Sequence, residues 1–225
     1  MHHLMMQMKH SKAVYGNQSF MKNINIAAII LAAGASKRMG MPKQLLPFGG
    51  KPAIACCVEK ILESGIQNLI VVLGHHAEHV QKALNKYPVK LVRNHHLEQG
   101  MIGSVQCGIS TLDTPMEAVL ILPCDYMIRA CTIKSLVKRF QKIGSACIVR
   151  PTYKGIKGHP VLFHRRYFQQ IQRASMLREV VRNNIEMVYD VNVEDEGITI
   201  DMDTWDDYIK MNLLYQTDSS RSKLA

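Results

Sequence analysis

The amino-acid sequence predicts a three-layer α/β domain with a doubly wound, mostly parallel sheet. From Ile24 onward, short apolar segments alternate with segments of helical periodicity, and only a few residues connect them. The first segment, residues 26–33, is apolar throughout, which is typical of a parallel strand buried on both faces. The chain has 225 residues, of which 47% are hydrophobic, and this suits one large domain with a substantial core.

The predicted elements follow one another in regular alternation. Short apolar runs predict strands over residues 26–33, 69–73, 89–92, 118–122, 146–149 and 188–193. Apolar residues at helical spacing predict helices over residues 52–64, 78–85, 101–110, 132–142, 166–172, 176–182 and 204–214. Gly65 is placed to end the first helix, and Asp203 can cap the last one.

The two ends of the chain have less pattern than the middle. Residues 1–22 show no clean period and no signal-peptide apolar region, so we expect a disordered extension there. We expect residues 23–215 to form a single domain and residues 216–225 to form a flexible tail. Six cysteines without a CxxC pair, and no apolar run of about 18 residues, predict a cytoplasmic protein with reduced thiols and no membrane span.

The charge balance favours small anionic ligands. The formal net charge is +10, and the excess is spread along the chain rather than gathered in one basic block. Such an excess suits phosphorylated small ligands or weak nucleic-acid contact. The sequence has no helix-turn-helix, zinc-finger or aromatic stacking motif, so we expect no nucleic-acid partner.

The loop after the first strand is the strongest candidate for a binding site. Gly34 allows a tight turn in which successive backbone N–H groups face phosphate oxygens. Arg38 and Lys43 can neutralise the charge of a triphosphate. The loop lacks the Gly-Lys-Ser/Thr of a Walker A motif, and the missing GxGxxG disfavours an NAD-linked oxidoreductase. On the residues alone, a solvated glycine-rich turn is an equal alternative.

Two further strand ends carry carboxylates. An acid such as Asp125, directly after an apolar strand, has to bind a cation or cap the next helix, and Mg²⁺ (or Mn²⁺) with a nucleotide phosphate suits it. Asp201 and Asp203 follow another strand end, and we expect at most one of them to share a metal with Asp125. We favour Asp203, for which an N-cap role is an equal alternative. Asp206 and Asp207 are expected only to complement the helix dipole.

Two other segments carry weaker signals. Gly100 and Ser104 stand at the start of a helix, where an anion or a ribose can bind, although a plain helix start explains them as well. Gly158, His159 and Pro160 form a stiff turn, in which His159 can contact an acceptor phosphate or hydrogen-bond a neighbouring loop. The other loop histidines lack metal-ligand spacing and are expected to be solvated.

Several of these segments together resemble a known family. The string LAAGASKRMGMPKQLLPFGGKP (residues 31–52) is similar to the signature LAAGxSxRMGxxKxLLPxxGKP of nucleotidyltransferases with a glycosyltransferase-A-like fold. Within them it looks most like the molybdenum cofactor cytidylyltransferases. Four later segments resemble further motifs of the family, in the same order: GMIGSVQCG (100–108), LPCDYM (122–127), RPTYKGIKGHPVLF (150–163) and DMDTWDDY (201–208).

The resemblance implies an enzyme that joins CMP from CTP to the phosphate of molybdopterin, with or without molybdenum. Pyrophosphate would leave and molybdopterin cytosine dinucleotide would form, for a recipient molybdoenzyme. The implied catalytic residues are Arg38, Lys43 and Asp125, with Mg²⁺ or Mn²⁺ on Asp125 and Asp203. The implied nucleotide contacts are Leu31, Ala32, Ala33, Gly34, Ala35, Ser36, Gly40, Gly100 and Ser104. The implied acceptor-side residues are Gly158, His159 and Pro160.

The chain departs from the family pattern at three places. Met127 and Trp205 replace prolines, and residues 173–178 lack the G-D-x-G-A-R-like segment expected there. Three alternatives therefore stay open. They are a nucleotidyltransferase that uses GTP with molybdopterin, one that acts on a sugar or alditol phosphate, and a non-catalytic protein that delivers the cofactor to a molybdoenzyme.

Overall fold

A computed structural model of the protein describes residues 24–112 and 115–222, with side chains as far as residue 217. The extension predicted over residues 1–22 lies outside these ranges. The strands are β1 (Ile26–Ala32), β2 (Pro47–Phe48), β3 (Lys51–Pro52), β4 (Asn68–Leu73), β5 (Lys90–Arg93), β6 (Ala118–Pro123), β7 (Ile148–Tyr153), β8 (Ile156–Lys157), β9 (Val161–His164) and β10 (Val188–Asn192). The α-helices are α1 (Ala53–Glu63), α2 (Ala77–Ala83), α3 (Gly100–Ser110), α4 (Ala130–Ile143), α5 (Phe168–Arg173), α6 (Leu177–Asn183) and α7 (Trp205–Ser222).

The main sheet is mixed and mostly parallel, as predicted. Its strand order is β10-β7-β9-β6-β1-β4-β5, with β8 paired to β7. Strands β5, β4, β1 and β6 run parallel, and so do β7 and β10. β9 runs antiparallel between β6 and β7, a position that the sequence did not predict. Its four residues follow the turn at 158–160 directly, and so short a run has no period that separates it from the turn.

Helices cover both faces of the sheet, which confirms the three-layer, doubly wound architecture. Along β1, Ala28 and Ile30 pack in the same cluster as α1, α2 and α4. Ile29 and Leu31 point the other way and pack with α3, α5 and α6. All seven residues of β1 are buried, so its unbroken apolar run reflects burial on both faces.

A smaller apolar cluster holds the segment between β1 and α1 against α7. The rings of Tyr208 and Tyr215 lie edge-on to Phe48, with centroid distances of 5.3 and 5.7 Å. The Tyr208 hydroxyl also donates to the carbonyl of Pro47, 161 residues earlier in the chain. The sequence predicted neither this packing nor the β2–β3 hairpin. α7 continues to Ser222, into the segment that was assigned to a tail.

The described residues contain no helix that is both long and apolar enough to span a bilayer. The six cysteines all lie within the described residues and are free. Four of them, Cys56, Cys57, Cys124 and Cys147, are buried as small apolar side chains.

Candidate active site

The carboxyl ends of β1, β4 and β6 open onto a cavity of about 420 Å³, here called the first cavity. Ligands of doubly wound sheets bind at this edge. The predicted site residues that line the first cavity are Leu31, Ala33, Gly34, Ala35, Ser36, Arg38, Lys43, Gly100, Ser104 and Asp125. Ala32 and Gly40 do not line it, because the Ala32 side chain points into the core beside α1 and Gly40 lies in the turn beyond. Asp203 is not in the lining either, although it contacts Lys43, which is. The sequence motif and the sheet edge therefore coincide.

The loop after β1 turns at Ser36 and Gly40, whose φ angles are +53° and +70°. Gly34, which we expected to make the tight turn, does not have a positive φ. The Ser36 Oγ accepts a hydrogen bond from the backbone N–H of Lys43 at 3.0 Å, and this bond closes the loop. The serine of the motif thus shapes the backbone that borders the first cavity.

Gln44 fixes the same loop through hydrogen bonds to its backbone, a role that the sequence did not predict. Its side chain is buried, and its Nε2 donates to the carbonyls of Ala32 at 3.2 Å and Gly34 at 2.8 Å. These two carbonyls flank the point where β1 ends, so the amide fixes the direction in which the loop leaves the sheet. The only sequence signal was a polar residue in an otherwise apolar segment before Leu45 and Leu46.

Lys43 links the two carboxylates that the sequence placed in one site. Its Nζ contacts Oδ1 of Asp203 and lies 3.6 Å from Oδ2 of Asp125. Arg38 adds an ion pair with Asp203, with Nη2 and Oδ2 2.6 Å apart. Burial raises the pKa of the Asp125 carboxyl, and Lys43 opposes this only in part. The hydrogen bond from Lys43 holds the pKa of Asp203 below its usual value.

The carboxylates of Asp125 and Asp203 fit a divalent cation that arrives with a nucleotide. Both lie against one cation, Lys43 Nζ, whereas the alternative ligand Asp201 is exposed. Within the described residues, no group of three or more His, Cys, Asp or Glu side chains could hold a metal. Mg²⁺ is commonly bound by one or two carboxylates together with phosphate oxygens. This donor set therefore suits Mg²⁺ or Mn²⁺ only when a triphosphate completes it.

Neither of these carboxylates caps a helix, which was the alternative role for both. At the start of α4, the Arg129 N–H and the Thr132 hydroxyl donate to Asp195, a buried acid far along the chain. At the start of α7, Asp207 accepts from the Thr204 N–H at 2.8 Å, and the Thr204 hydroxyl accepts from the Asp207 N–H at 3.2 Å. The expectation that Asp207 only complements the helix dipole was therefore wrong. Asp125 and Asp203 are left free for the site.

The start of α3 forms the far wall of the first cavity. Gly100 has a φ of +67°, and Ser104 lies one turn further on. The Ser104 Oγ accepts a hydrogen bond from the buried Asn94 at 3.1 Å, and the Asn94 Oδ1 accepts from the His96 N–H at 2.9 Å. Asn94 thus positions the serine, although nothing in its sequence context separated it from a loop residue.

His75 also lines the first cavity, beside the uncharged part of the loop. It is solvent-exposed, as expected for the loop histidines, but its Nδ1 lies 3.1 Å from the Ala33 carbonyl. A carbonyl can only accept, so Nδ1 carries the proton. The preceding Gly74 is required, because a side chain there would collide with the backbone of Ala33.

A second cavity, of about 700 Å³, adjoins the first. Met101 lines both cavities, and Tyr126, the neighbour of Asp125, lines the second. Gly158 and His159 line the second cavity as well, whereas the buried Pro160 does not. Two of the three residues expected on the acceptor side are therefore brought next to the carboxylate site.

His159 is held firmly in the wall of the second cavity. Its ring lies 4.8 Å from the ring of Tyr126, and its backbone N–H donates to the carbonyl of Ile198 at 3.0 Å. Burial lowers the pKa of the imidazole, so the neutral form is favoured. Gly158 is required beside it, because a Cβ there would collide with the Ile198 carbonyl.

A loop with two cations, paired with two carboxylates at the carboxyl edge of a doubly wound sheet, defines a nucleotidyltransferase of the glycosyltransferase-A-like fold. Residues 28–188 match the family model described as MobA-like NTP transferase domain, and the chain belongs to this family. The class and the family that the sequence motifs indicated are confirmed.

Individual relatives differ in how much of this chain they resemble. The molybdenum cofactor cytidylyltransferase of Escherichia coli K12 is 27% identical over 188 residues, which cover 82% of this chain and 94% of that protein. The nicotine blue oxidoreductase of Paenarthrobacter nicotinovorans is 34% identical over 98 residues, 43% of this chain, and the match spans about half of its length (48%). The crystal structure of Rv0371c from Mycobacterium tuberculosis H37Rv has a TM-score of 0.75 at 24% identity, covering 84% of this chain and 98% of that one. A complex of Rv0371c with manganese is also known.

Proposed function

We propose that this protein transfers CMP from CTP to the phosphate of molybdopterin, with or without bound molybdenum, and releases pyrophosphate. The product would be molybdopterin cytosine dinucleotide, to be passed to a recipient molybdoenzyme. The observation that carries the proposal is the Lys43–Asp125–Asp203 cluster, of which Lys43 and Asp125 line the first cavity, while Tyr126, the neighbour of Asp125, lines the second. The first cavity can hold a nucleoside triphosphate, and the second can hold the acceptor. The two reacting phosphates then meet beside Lys43.

The residues of the first cavity supply positioning and charge neutralisation. The backbone from Ala33 to Arg38 holds the triphosphate, and Arg38 and Lys43 offset charge on its α- and β-phosphates. An acceptor phosphate oxygen attacks the α-phosphorus in line, the bond from that phosphorus to the bridging oxygen breaks, and pyrophosphate leaves with the electron pair. No side-chain base is needed, because the acceptor phosphate is already ionised at pH 7.

The two carboxylates would hold the divalent metal. Asp125 and Asp203 provide oxygen ligands of the kind that Mg²⁺ or Mn²⁺ prefers, and the ion would neutralise charge on the phosphate oxygens. Lys43 and Arg38 exchange their ion pairs with Asp203 for contacts with the triphosphate, which leaves that carboxylate free for the metal. The manganese complex of the similar protein Rv0371c supports a divalent metal in this fold.

CTP is favoured over other nucleotides by the sequence of the site. The LAAG start of the loop and the GHPVLF segment resemble the cytidylyltransferases, and the cytidylyltransferase of E. coli is matched over 94% of its length. Within LAAG (residues 31–34), Leu31 and Ala33 line the first cavity together with His75. The uncharged end of the first cavity is therefore assigned to the base, and the end with Arg38 and Lys43 to the phosphates.

Pyrophosphate release tests the proposal directly. The protein would be assayed with Mg²⁺, molybdopterin or its molybdenum form, and CTP, GTP, ATP or UTP, together with Asp125→Asn and the control Asp206→Asn. Asp206 is an exposed acid on α7 and does not line either cavity. We expect release with CTP, lost in Asp125→Asn and kept in Asp206→Asn.

Three other results would contradict the proposal. Release with GTP in place of CTP would identify a guanylyltransferase. Release with a sugar or alditol phosphate as the only acceptor would identify a different nucleotidyltransferase. Tight binding of molybdopterin without release from any nucleotide would identify a cofactor-delivery protein.

A further inference from the structure

Among the residues that the structure describes, the second cavity is lined by four cations and by no carboxylate. The cations are Arg150, Lys157, Arg178 and Arg182. Arg150 is neutralised by Asp190, with Nε and Oδ1 2.6 Å apart. Within the described part of the chain, the other three form no ion pair. The cavity therefore carries a net positive charge that an anionic ligand would neutralise.

The charge is concentrated on α6. Arg178 and Arg182 stand four residues apart, so both project from the same side of this helix, and both are exposed. The acid between them, Glu179, forms no ion pair with either arginine in the described part of the chain; its carboxylate instead accepts hydrogen bonds from the Ser175 and Met176 N–H groups at 3.1 and 3.3 Å. Two like charges at this spacing repel each other until an anion binds between them.

Exposed apolar side chains surround these cations. Met101, Met176 and Ile185 are 55%, 46% and 56% exposed, and all three line the second cavity. Large apolar side chains exposed together at a concave surface mark a binding site. The ligand that matches both features has an apolar or flat body and an anionic group.

The position of these cations indicates which anionic group of the acceptor they would bind. The reacting phosphate of an acceptor has to approach Lys43 and Asp125, which line the first cavity. Arg178, Arg182 and Lys157 line only the second cavity, so they are placed for a different charge on the same molecule. We propose that Arg178 and Arg182, with Lys157, bind a second anionic group of the acceptor, separate from its reacting phosphate. This inference rests on the proposed function and narrows its acceptor, since the dithiolate end of molybdopterin, free or bound to oxo-molybdenum, carries such a charge.

The test uses two acceptors that share the phosphate, of which only one carries the second anionic group. One is molybdopterin with its dithiolate, and the other is a sulfur-free pterin with the same phosphate side chain. Pyrophosphate release from CTP would be measured with wild-type protein, the double variant Arg178→Gln/Arg182→Gln and the conservative variant Arg178→Lys/Arg182→Lys. Arg173→Gln is the matched control, because Arg173 is an exposed arginine on α5 outside both cavity linings.

We expect the glutamine double variant to raise the KM for molybdopterin about tenfold or more. Its kcat and its KM for CTP should stay within about twofold of wild type, because the first cavity is untouched. With the sulfur-free pterin phosphate, the double variant and wild type should behave alike. The lysine variant should keep most of the affinity, because the charges remain, and Arg173→Gln should match wild type.

Three results would overturn the inference, and they differ in what they say about the proposed function. If wild type is active but the double variant matches Arg173→Gln with molybdopterin, the arginines do not bind the acceptor, and the proposed function stands. If the double variant loses affinity for both acceptors equally, the arginines bind the shared phosphate instead. If wild type releases pyrophosphate with neither acceptor, the proposed function itself fails and the inference fails with it.

Discussion

Replacement of Asp125 by asparagine should stabilise this protein while it abolishes activity. At an effective dielectric constant of about 20, the attraction between Lys43 and Asp125 over 3.6 Å is about 5 kcal/mol. Transfer of a carboxylate out of water costs a comparable amount, several kcal/mol. The raised pKa of Asp125 indicates that the cost of burial is larger than the attraction from Lys43, which is shared with Asp203.

Asparagine keeps the shape of the side chain and removes the charge, so the burial cost disappears. We expect a gain of about 1–2 kcal/mol in the free energy of unfolding at pH 7, in the range found when functional residues are replaced. For a chain of this size, that corresponds to a rise in Tm of about 2–8 °C. Pyrophosphate release should fall by about a hundredfold or more, because the site loses a metal ligand.

The pH dependence of the stability difference between Asp125→Asn and wild type tests whether the gain comes from the burial cost of the ionised Asp125 carboxylate. The folded-state pKa of Asp125 lies above the unfolded value of about 3.9, so the folded state binds more protons between these two pKa values. At lower pH the acid is protonated in both states, and the variant and wild type should have similar stability. The advantage of Asp125→Asn should grow as the pH rises through the folded-state pKa.

Thermal unfolding of wild type, Asp125→Asn and the control Asp206→Asn between about pH 3 and 8 tests this reasoning. A variant that is less stable than wild type at pH 7 would refute it, because the ion pair with Lys43 would then outweigh the burial cost. A stability gain that does not change with pH would refute it as well, since the gain would not come from ionisation of Asp125.

Three further predictions concern Lys43, the first loop and the wall of the second cavity. Lys43→Ala should lower the rate of pyrophosphate release by about 10²–10³-fold with an unchanged circular dichroism spectrum, and near wild-type turnover would contradict its role. Gln44→Leu removes the donor that holds two loop carbonyls. It should lower the free energy of unfolding in urea by about 1–3 kcal/mol and raise the KM for the nucleotide. An unchanged urea midpoint of unfolding and an unchanged KM would contradict this. Gly158→Ala should lower the Tm by several degrees, because its Cβ would collide with the Ile198 carbonyl, and an unchanged Tm would show that the two segments separate at little cost.

The pattern of the chain was sufficient for the parallel half of the sheet and for the first loop. A strand that is buried on both faces has to be apolar at every position, and β1 is. Arg38, Lys43 and Asp125 were predicted because they lie in loops after strands, where ligands of a doubly wound fold bind, and because the motifs around them resemble the family. These features depend on residues that are close in sequence, so the sequence displays them directly.

The antiparallel part of the sheet and several supporting residues could not be predicted. β9 is a four-residue strand whose place between β6 and β7 depends on pairing partners far away in sequence. Gln44, Asn94 and Asp195 act through hydrogen bonds to groups that local sequence does not identify. A polar residue that is buried to hold a loop has the same local pattern as one that is solvated.

The sequence by itself indicated the fold class, the family and ten of the residues that line the first cavity. Only the tertiary structure decided what those residues do together. Lys43 and Asp203 are 160 residues apart, and their contact exists because α7 packs back over the first loop. Arg178, Arg182, Lys157 and the exposed apolar side chains of the second cavity likewise converge from separate elements, because compact packing brings distant surfaces together at one edge of the sheet.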